Sequence, residues 1–241
     1  MRILYWDAFA GISGDMALGS LIALGADPAA ITESLRSTGL HEFELAVDLR
    51  RVQGIQATDV DVRIEQGSEA QGPPHRGIKE IGQMIAGGGL TETARENALK
   101  VFGVLARAEA KVHGTTVEEV HFHEVGAVDS LVDIVGTVVA LDLLNIQRIR
   151  VSVLPWSRGF VRCAHGTLPV PAPAALEILA GFRFRESGVE GELVTPTGAA
   201  LLAALAEQGE FPEMAVAKVG YGSGKNNYGL PSLLRAVQGE I

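Results

Sequence analysis

The spacing of apolar residues changes period several times along the chain, and each change marks an element. Residues 2–7 are a short apolar, aromatic-bearing run closed by Asp7, which predicts a strand. A glycine-rich turn, Gly11-Ile12-Ser13-Gly14-Asp15-Met16, leads into an apolar helical stretch that Gly25 stops. Ser13 falls at the N-cap of that helix and Asp15 in its first turn. Pro28 opens a helix over 29–38, and Gly39 ends it. Residues 43–50 and 55–65 alternate apolar and polar positions on either side of Gln53-Gly54, the pattern of a β-hairpin. An exposed polar loop with two prolines follows over 66–76. Helical spacing returns over 77–86 and again from Ala98 through Val101, Phe102, Leu105 and Ala108 to Gly114. Thr93-Ala94-Arg95-Glu96 has the spacing of a capping box at the start of that second helix.

The helix predicted after Gly126 differs from these, because it is apolar nearly all round and so reads as buried. Beyond it, residues 148–154 and 160–164 alternate as strands, and Pro169, Pro171 and Pro173 form a rigid extended approach to a helix over 174–180. Thr195 as N-cap and Pro196 at the first helical position open a helix over 199–207. Strands over 214–221 and 230–237 flank Gly222-Ser223-Gly224-Lys225-Asn226-Asn227. The strands do not alternate strictly with helices, and the hairpin is antiparallel. The pattern therefore predicts an α+β fold, with mixed or antiparallel sheets packed against several helices, rather than a doubly wound parallel sheet.

Candidate chemistry concentrates in residues 121–136. His121 and His123 are two apart, so on an extended segment both point to one side. Asp129 and Asp133 are four apart, so on a helix they share a face. With Glu124 they make a set of imidazoles and carboxylates suited to a divalent transition metal. The alternative is structural: Asp129 caps the helix, Asp133 pairs with an arginine, and the histidines flank a packed Phe122. A carboxylate in a buried helix costs several kcal/mol unless something positive meets it, an order-of-magnitude figure. Asp133 is therefore the sharpest clue in the chain. Three further stretches can hold an anion on exposed N–H groups: the Gly11–Met16 turn with Asp7 and Asp15 beside it, Thr195-Pro196-Thr197-Gly198, and the loop carrying Lys225. Each reads equally well as a well-made cap or turn. Cys163 and His165 also stand two apart and can face one way.

Composition narrows the class. A net charge of −9 argues against a nucleic-acid backbone as partner. No apolar run approaches the roughly 18 residues of a membrane span. Cys163 is the single cysteine, so no internal disulfide forms, and a cytoplasmic setting is the expectation.

Four stretches, taken jointly and in order, resemble the nickel-insertion proteins of the lactate racemase cofactor pathway, the LarC family. They are Asp7–Met16, His121–Gly136, His165–Pro173 and Glu192–Ala200. The resemblance spans nearly the whole chain. It implies insertion of nickel into pyridinium-3,5-bisthiocarboxylic acid mononucleotide, giving the nickel-pincer nucleotide of lactate racemase. It also implies a cyclometallase, a nickel chelatase of the lyase class, that uses CTP with Mg or Mn. Family members continue into a C-terminal domain that holds CTP. The chain therefore corresponds to their N-terminal region, divisible into subdomains 1–120 and 121–241, with that domain or a separate subunit as partner and a homo-oligomer as an open option. Many members carry a run of histidines where this chain has Pro73-Pro74-His75-Arg76. On this reading His121, His123, Glu124, Asp129 and Asp133 are the metal set, and Asp7, Ser13, Gly14, Asp15, Thr195 and Thr197 hold the nucleotide. Loss of the ring proton as the nickel–carbon bond forms needs an acceptor, for which His121, His123 and His165 are the candidates. Two competing functions are a metal-dependent hydrolase and a non-catalytic nickel-delivery subunit.

Overall fold

The computed structural model describes residues 1–64, 76–120, 128–163 and 165–241. In chain order the elements are β1 (Arg2–Asp7), α1 (Gly14–Ala23), α2 (Pro28–Ser37), β2 (Phe43–Val52), β3 (Ile55–Ile64), α3 (Ile78–Gly87), α4 (Glu92–His113) and α5 (Val128–Leu143). They continue as β4 (Arg148–Val151), β5 (Leu154–Arg158), β6 (Phe160–Cys163), β7 (Gly166–Pro169), α6 (Pro173–Ile178), β8 (Phe184–Glu190), α7 (Pro196–Leu205), β9 (Glu207–Gln208), β10 (Ala215–Ser223) and β11 (Leu233–Glu240). Seven strands form one sheet in the order β2-β3-β10-β11-β1-β4-β9. It is mixed: β2–β3, β10–β11 and β1–β11 are antiparallel, whereas β1–β4, β3–β10 and β4–β9 are parallel. The expected α+β class holds. The sheet draws β1 to β3 from the first half of the chain and its other strands from the second.

Alternation along β1 divides its two faces. Leu4 and Trp6 are fully buried, and the Trp6 indole N–H donates to Ser20 Oγ of α1 at 3.2 Å. Tyr5 and Asp7 point to the opposite face, where Tyr5 meets the Phe211 ring edge-on at 5.1 Å between centroids. Helix α1 lies on β3, β10 and β11, α5 and α7 pack against α1, and α4 packs against α5, α6 and α7. The core between these layers is centred on Trp6, Phe43 and Phe102, each fully buried. A large apolar side chain contributes roughly 1.5–3 kcal/mol when buried this way.

The seat of α1 is unusually close. A Cβ on Gly220 would stand 2.6 Å from the Ser20 carbonyl oxygen, one on Gly222 2.6 Å from the Ser20 nitrogen, and one on Gly19 2.7 Å from the Thr58 carbonyl oxygen. Real Cβ contacts do not come that close, so helix and sheet touch backbone to backbone.

The structure adjusts several expected boundaries. The α4 cap is Thr91, whose Oγ1 accepts from Ala94 N–H at 3.1 Å, not the Thr93 box, because the helix starts two residues earlier. Gly114 ends it in the left-handed conformation as expected. The run 148–154 divides: β4 joins the main sheet, and β5 leaves it to pair in parallel with β8. Strands β8 and β9 carry no clear alternation and were not expected from the sequence. Ser13 sits at the α1 N-cap, but its hydroxyl donates to Asp15 Oδ1 instead of capping a backbone N–H.

Candidate functional site

Three helix N-termini meet around the glycine-rich turn. Ile12 and Val194 form an isolated parallel bridge, with Ile12 N–H donating to Leu193 O at 2.9 Å and Thr195 N–H donating to Ile12 O at 3.1 Å. This stitch lays the two turns side by side, so α1 and α7 begin together. Thr195 Oγ1 accepts from Gly198 N–H at 3.2 Å, the cap the sequence suggested, and Thr197 is buried behind it. The first turns of α5 complete the cluster: a Cβ on Gly14 would stand 2.6 Å from Asp133 Cβ. Gly14 is needed because α5 passes directly over it.

That packing creates an acidic centre. Asp133 Oδ1 is shut off from solvent and has no hydrogen-bond partner among the described residues. Burial pushes the Asp133 carboxyl well above the usual range, and the neighbouring charges of Asp15 and Asp129 push it further, against a smaller pull from Lys225. Burial raises Asp15 as well, opposed by the Ser13 hydroxyl and by Met16 N–H at 2.8 Å. Asp129 Oδ1 accepts from Ser130 N–H at 2.9 Å in the first turn of α5. The arginine partner that the structural alternative required for Asp133 is not present among the described residues. An unpartnered, deeply placed carboxylate oxygen is a ligand a divalent cation can use, although the three acids do not by themselves converge into a metal site.

Beside the acids, Ser13, Thr195, Glu192, Lys225, Asn226 and Tyr228 line a cavity of about 40 Å³. All three anion candidates read from the sequence therefore reach one place. Lys225 is the cation here, steadied by Asp59 at 2.9 Å and Asp61 at 3.6 Å. Although burial opposes it, hydrogen bonds from Ser223 and Lys225 hold the Asp59 carboxyl below its ordinary range.

The remaining candidates fall elsewhere. Asp7 lies on the other face of the sheet, ion-paired to Arg235, so it is separated from Asp15 by the thickness of β1. His121, His123 and Glu124 lie outside the described residues. Among the described residues no group of three or more His, Cys, Asp and Glu side chains is placed to hold a metal ion. His165 stands in the β6–β7 turn, where its ring meets that of His113 at 4.7 Å. His113 carried no sequence signal beyond its place in the last turn of α4, and only its position against His165 brings it out.

A family model described as nickel insertion protein matches residues 4–240. Three relatives named pyridinium-3,5-bisthiocarboxylic acid mononucleotide nickel insertion protein are similar over essentially the whole chain. Those of Desulfitobacterium hafniense, Acetivibrio thermocellus and Staphylococcus epidermidis are 43%, 43% and 40% identical, covering 100%, 99% and 99% of this chain and 59%, 60% and 60% of their own lengths. The chain thus spans about three fifths of the curated relatives it matches. No solved structure matches.

Proposed function

Because this chain belongs to the nickel insertion protein family, we propose that it takes part in placing nickel in pyridinium-3,5-bisthiocarboxylic acid mononucleotide. The observation that carries this reading is the orphaned Asp133 oxygen in its acidic centre. Asp133 and Asp129 hold the incoming metal, and the substrate's thiocarboxylate sulfurs then compete for it. Nickel accepts both ligand types, so oxygen ligands can pass it to the sulfurs once the nucleotide is bound. The nucleotide phosphate lies against Ser13, Thr195 and Lys225, where two helix N-termini and an ammonium favour an anion.

In the finer form of the proposal the reaction is a cyclometallation. A ring carbon gives up its proton as the nickel–carbon bond forms, so one bond to hydrogen is exchanged for one to metal and the proton needs an acceptor. Asp15 is suited to that role, because burial keeps its proton affinity above that of an ordinary aspartate. CTP with Mg or Mn would enter through the part of the relatives that this chain does not span.

The test is reconstitution. The chain, the remaining portion of a full-length relative, the nucleotide, nickel, CTP and Mg are combined, and nickel-bearing nucleotide is measured by mass spectrometry. Lys225→Met should raise the KM for the nucleotide, and Asp133→Asn should lower nickel incorporation at saturating nucleotide. Incorporation by Asp133→Asn equal to that of the parent protein would remove the proposal.

A further inference from the structure

We propose that Tyr228 and Glu192 form a ring subsite beside the phosphate cradle, an aromatic side chain and a carboxylate that together take a cationic heterocycle. The inference rests on the function proposed above, whose substrate is a mononucleotide carrying a pyridinium ring. Both side chains line the cavity that Ser13, Thr195 and Lys225 also line. They reach it from distant parts of the chain: Glu192 from the segment before α7, Tyr228 from the loop between β10 and β11.

The Tyr228 ring is held firmly for a residue in a loop. Gly191 lies against it. A Cβ at Gly191 would stand 2.7 Å from Tyr228 Cζ, closer than real Cβ atoms come, and its φ of +130° also favours glycine. The backbone of Glu192 and the side chain of Asn226 hydrogen-bond the Tyr228 hydroxyl. The segment against the ring is itself tied down. Gly191 N–H donates to Arg158 O, and Ile12 N–H to Leu193 O, both at 2.9 Å. A ring fixed beforehand loses little freedom when a second ring stacks on it.

Charge decides which ring fits. Burial raises the Tyr228 phenol above its ordinary range, and the Glu192 carboxylate adds to that, so the ring stays neutral. The face of a neutral phenol attracts a cation, and a nearby carboxylate strengthens the attraction. Lys225, held by Asp59 at 2.9 Å and Asp61 at 3.6 Å, belongs to the phosphate instead. Thr195 and Glu192 are three residues apart, at most about 10 Å of chain, so the phosphate and ring subsites lie within reach of one mononucleotide. The thiocarboxylates stand at ring positions 3 and 5, away from the nitrogen that joins the ribose. With that nitrogen beside Glu192, the sulfurs point away from the acid and towards the metal.

The test uses the 241-residue chain and two probes, nicotinamide mononucleotide and its reduced, dihydropyridine form. They share phosphate and ribose, but only the oxidised ring is cationic, so the ratio of their affinities by calorimetry isolates the ring. The oxidised form should bind about three- to tenfold more tightly, the worth of one partly desolvated cation–π contact. Tyr228→Leu and Glu192→Gln should each bring the ratio towards one, whereas Tyr228→Phe, which keeps an aromatic face, should retain most of it. Lys225→Met should weaken both probes alike and leave the ratio unchanged. Equal binding of the two probes by the parent protein, binding of neither, or a parental ratio in both Tyr228→Leu and Glu192→Gln would overturn the proposal. Nickel incorporation that still depends on Asp133 and Lys225 would leave the proposed function standing in that case. A preference for the oxidised probe that requires Tyr228, in a protein whose reconstituted mixture makes no nickel-bearing nucleotide, would uphold the subsite and sink the proposed function.

Discussion

Replacing Asp133 by asparagine should make the metal-free protein more stable at neutral pH, the reverse of the usual result for a buried polar residue. The side chains have the same shape, so no cavity opens and Gly14 keeps its contact. What changes is charge. Asp133 Oδ1 has no donor among the described residues, and Asp15 and Asp129 repel the ionised form. Leaving a buried acceptor unmet costs roughly 1–3 kcal/mol in either protein and more when it is charged, and asparagine removes only that additional cost of charge. For a domain of this size each kcal/mol of charge cost removed should raise the melting temperature by about 2–4 °C. The sign follows from proton linkage. The folded carboxyl binds its proton more tightly than the unfolded one, whose pKa is about 3.9, so the folded state holds more protons between those two values. This contribution to stability is present at acid pH and lost as pH rises through the folded pKa. The advantage of the variant should therefore vanish near pH ~4 and grow as pH rises above it, becoming complete only above the raised folded pKa. Urea unfolding in the presence of a chelator, across pH, measures it. Added divalent cation should then stabilise the parent protein by about 2.7 kcal/mol at a hundredfold excess over Kd and leave the variant unmoved. A less stable variant at neutral pH, or a difference that does not change with pH, would mean that Asp133 has a positive partner and that the cation argument is mistaken.

Three further outcomes are expected. Gly14→Val should press on Asp133 and part α1 from α5, costing roughly 1–3 kcal/mol of stability by chemical denaturation and weakening nucleotide binding by calorimetry. Thr91→Ala should cost about 1 kcal/mol, and Thr93→Ala much less, which separates the two candidate caps in a thermal melt. Arg235→Ala should change nucleotide affinity little, because the Arg235–Asp7 pair lies on the sheet face away from the Lys225 cavity. An Arg235→Ala protein that fails to bind nucleotide would return Asp7 to the site.

Local chemistry was what the sequence could express. Thr195-Pro196 announced the start of α7, Gly114 the end of α4, and Gln53-Gly54 the hairpin, where both residues take positive φ, 47° and 88°. The tension at Asp133 was legible too, since a carboxylate in an all-round apolar helix is conspicuous in one dimension. What could not be read was long-range pairing. The order β2-β3-β10-β11-β1-β4-β9 places strands far apart in sequence side by side, and no spacing encodes that. Strand β8 hides because Arg185, Glu186 and Glu190 give it little apolar rhythm, and its partner β5 supplies the pairing that makes it a strand. Asp7 looked close to Asp15 because eight positions of sequence separate them, but the strand period turns it to the opposite face. The stretch 121–127, with His121, His123 and Glu124, lies outside the described residues, so for those three positions the sequence reading stands by itself.

The glycines under α1 have a mechanical consequence. Helices usually rest on sheets through leucine and valine side chains, and those layers yield, because rotamers shift and the helix can rock by a fraction of an ångström. At Gly19, Gly220 and Gly222 there is no such cushion, so α1 and β10 behave as one rigid piece. Ser13, Gly14 and Asp15 are bolted to the sheet, and the start of α7 is stitched to them through Ile12, so on the proposed function any widening that admits a nucleotide would have to come from α5. Amide protons in the middle of α1 should then exchange with solvent only when the whole chain unfolds, whereas those in the first turn of α5 exchange through smaller openings. The rigid member would carry the phosphate and the proton acceptor, and the moving one Asp133 and the metal. Loading and release would thus be motions of the cargo's holder towards a stationary substrate.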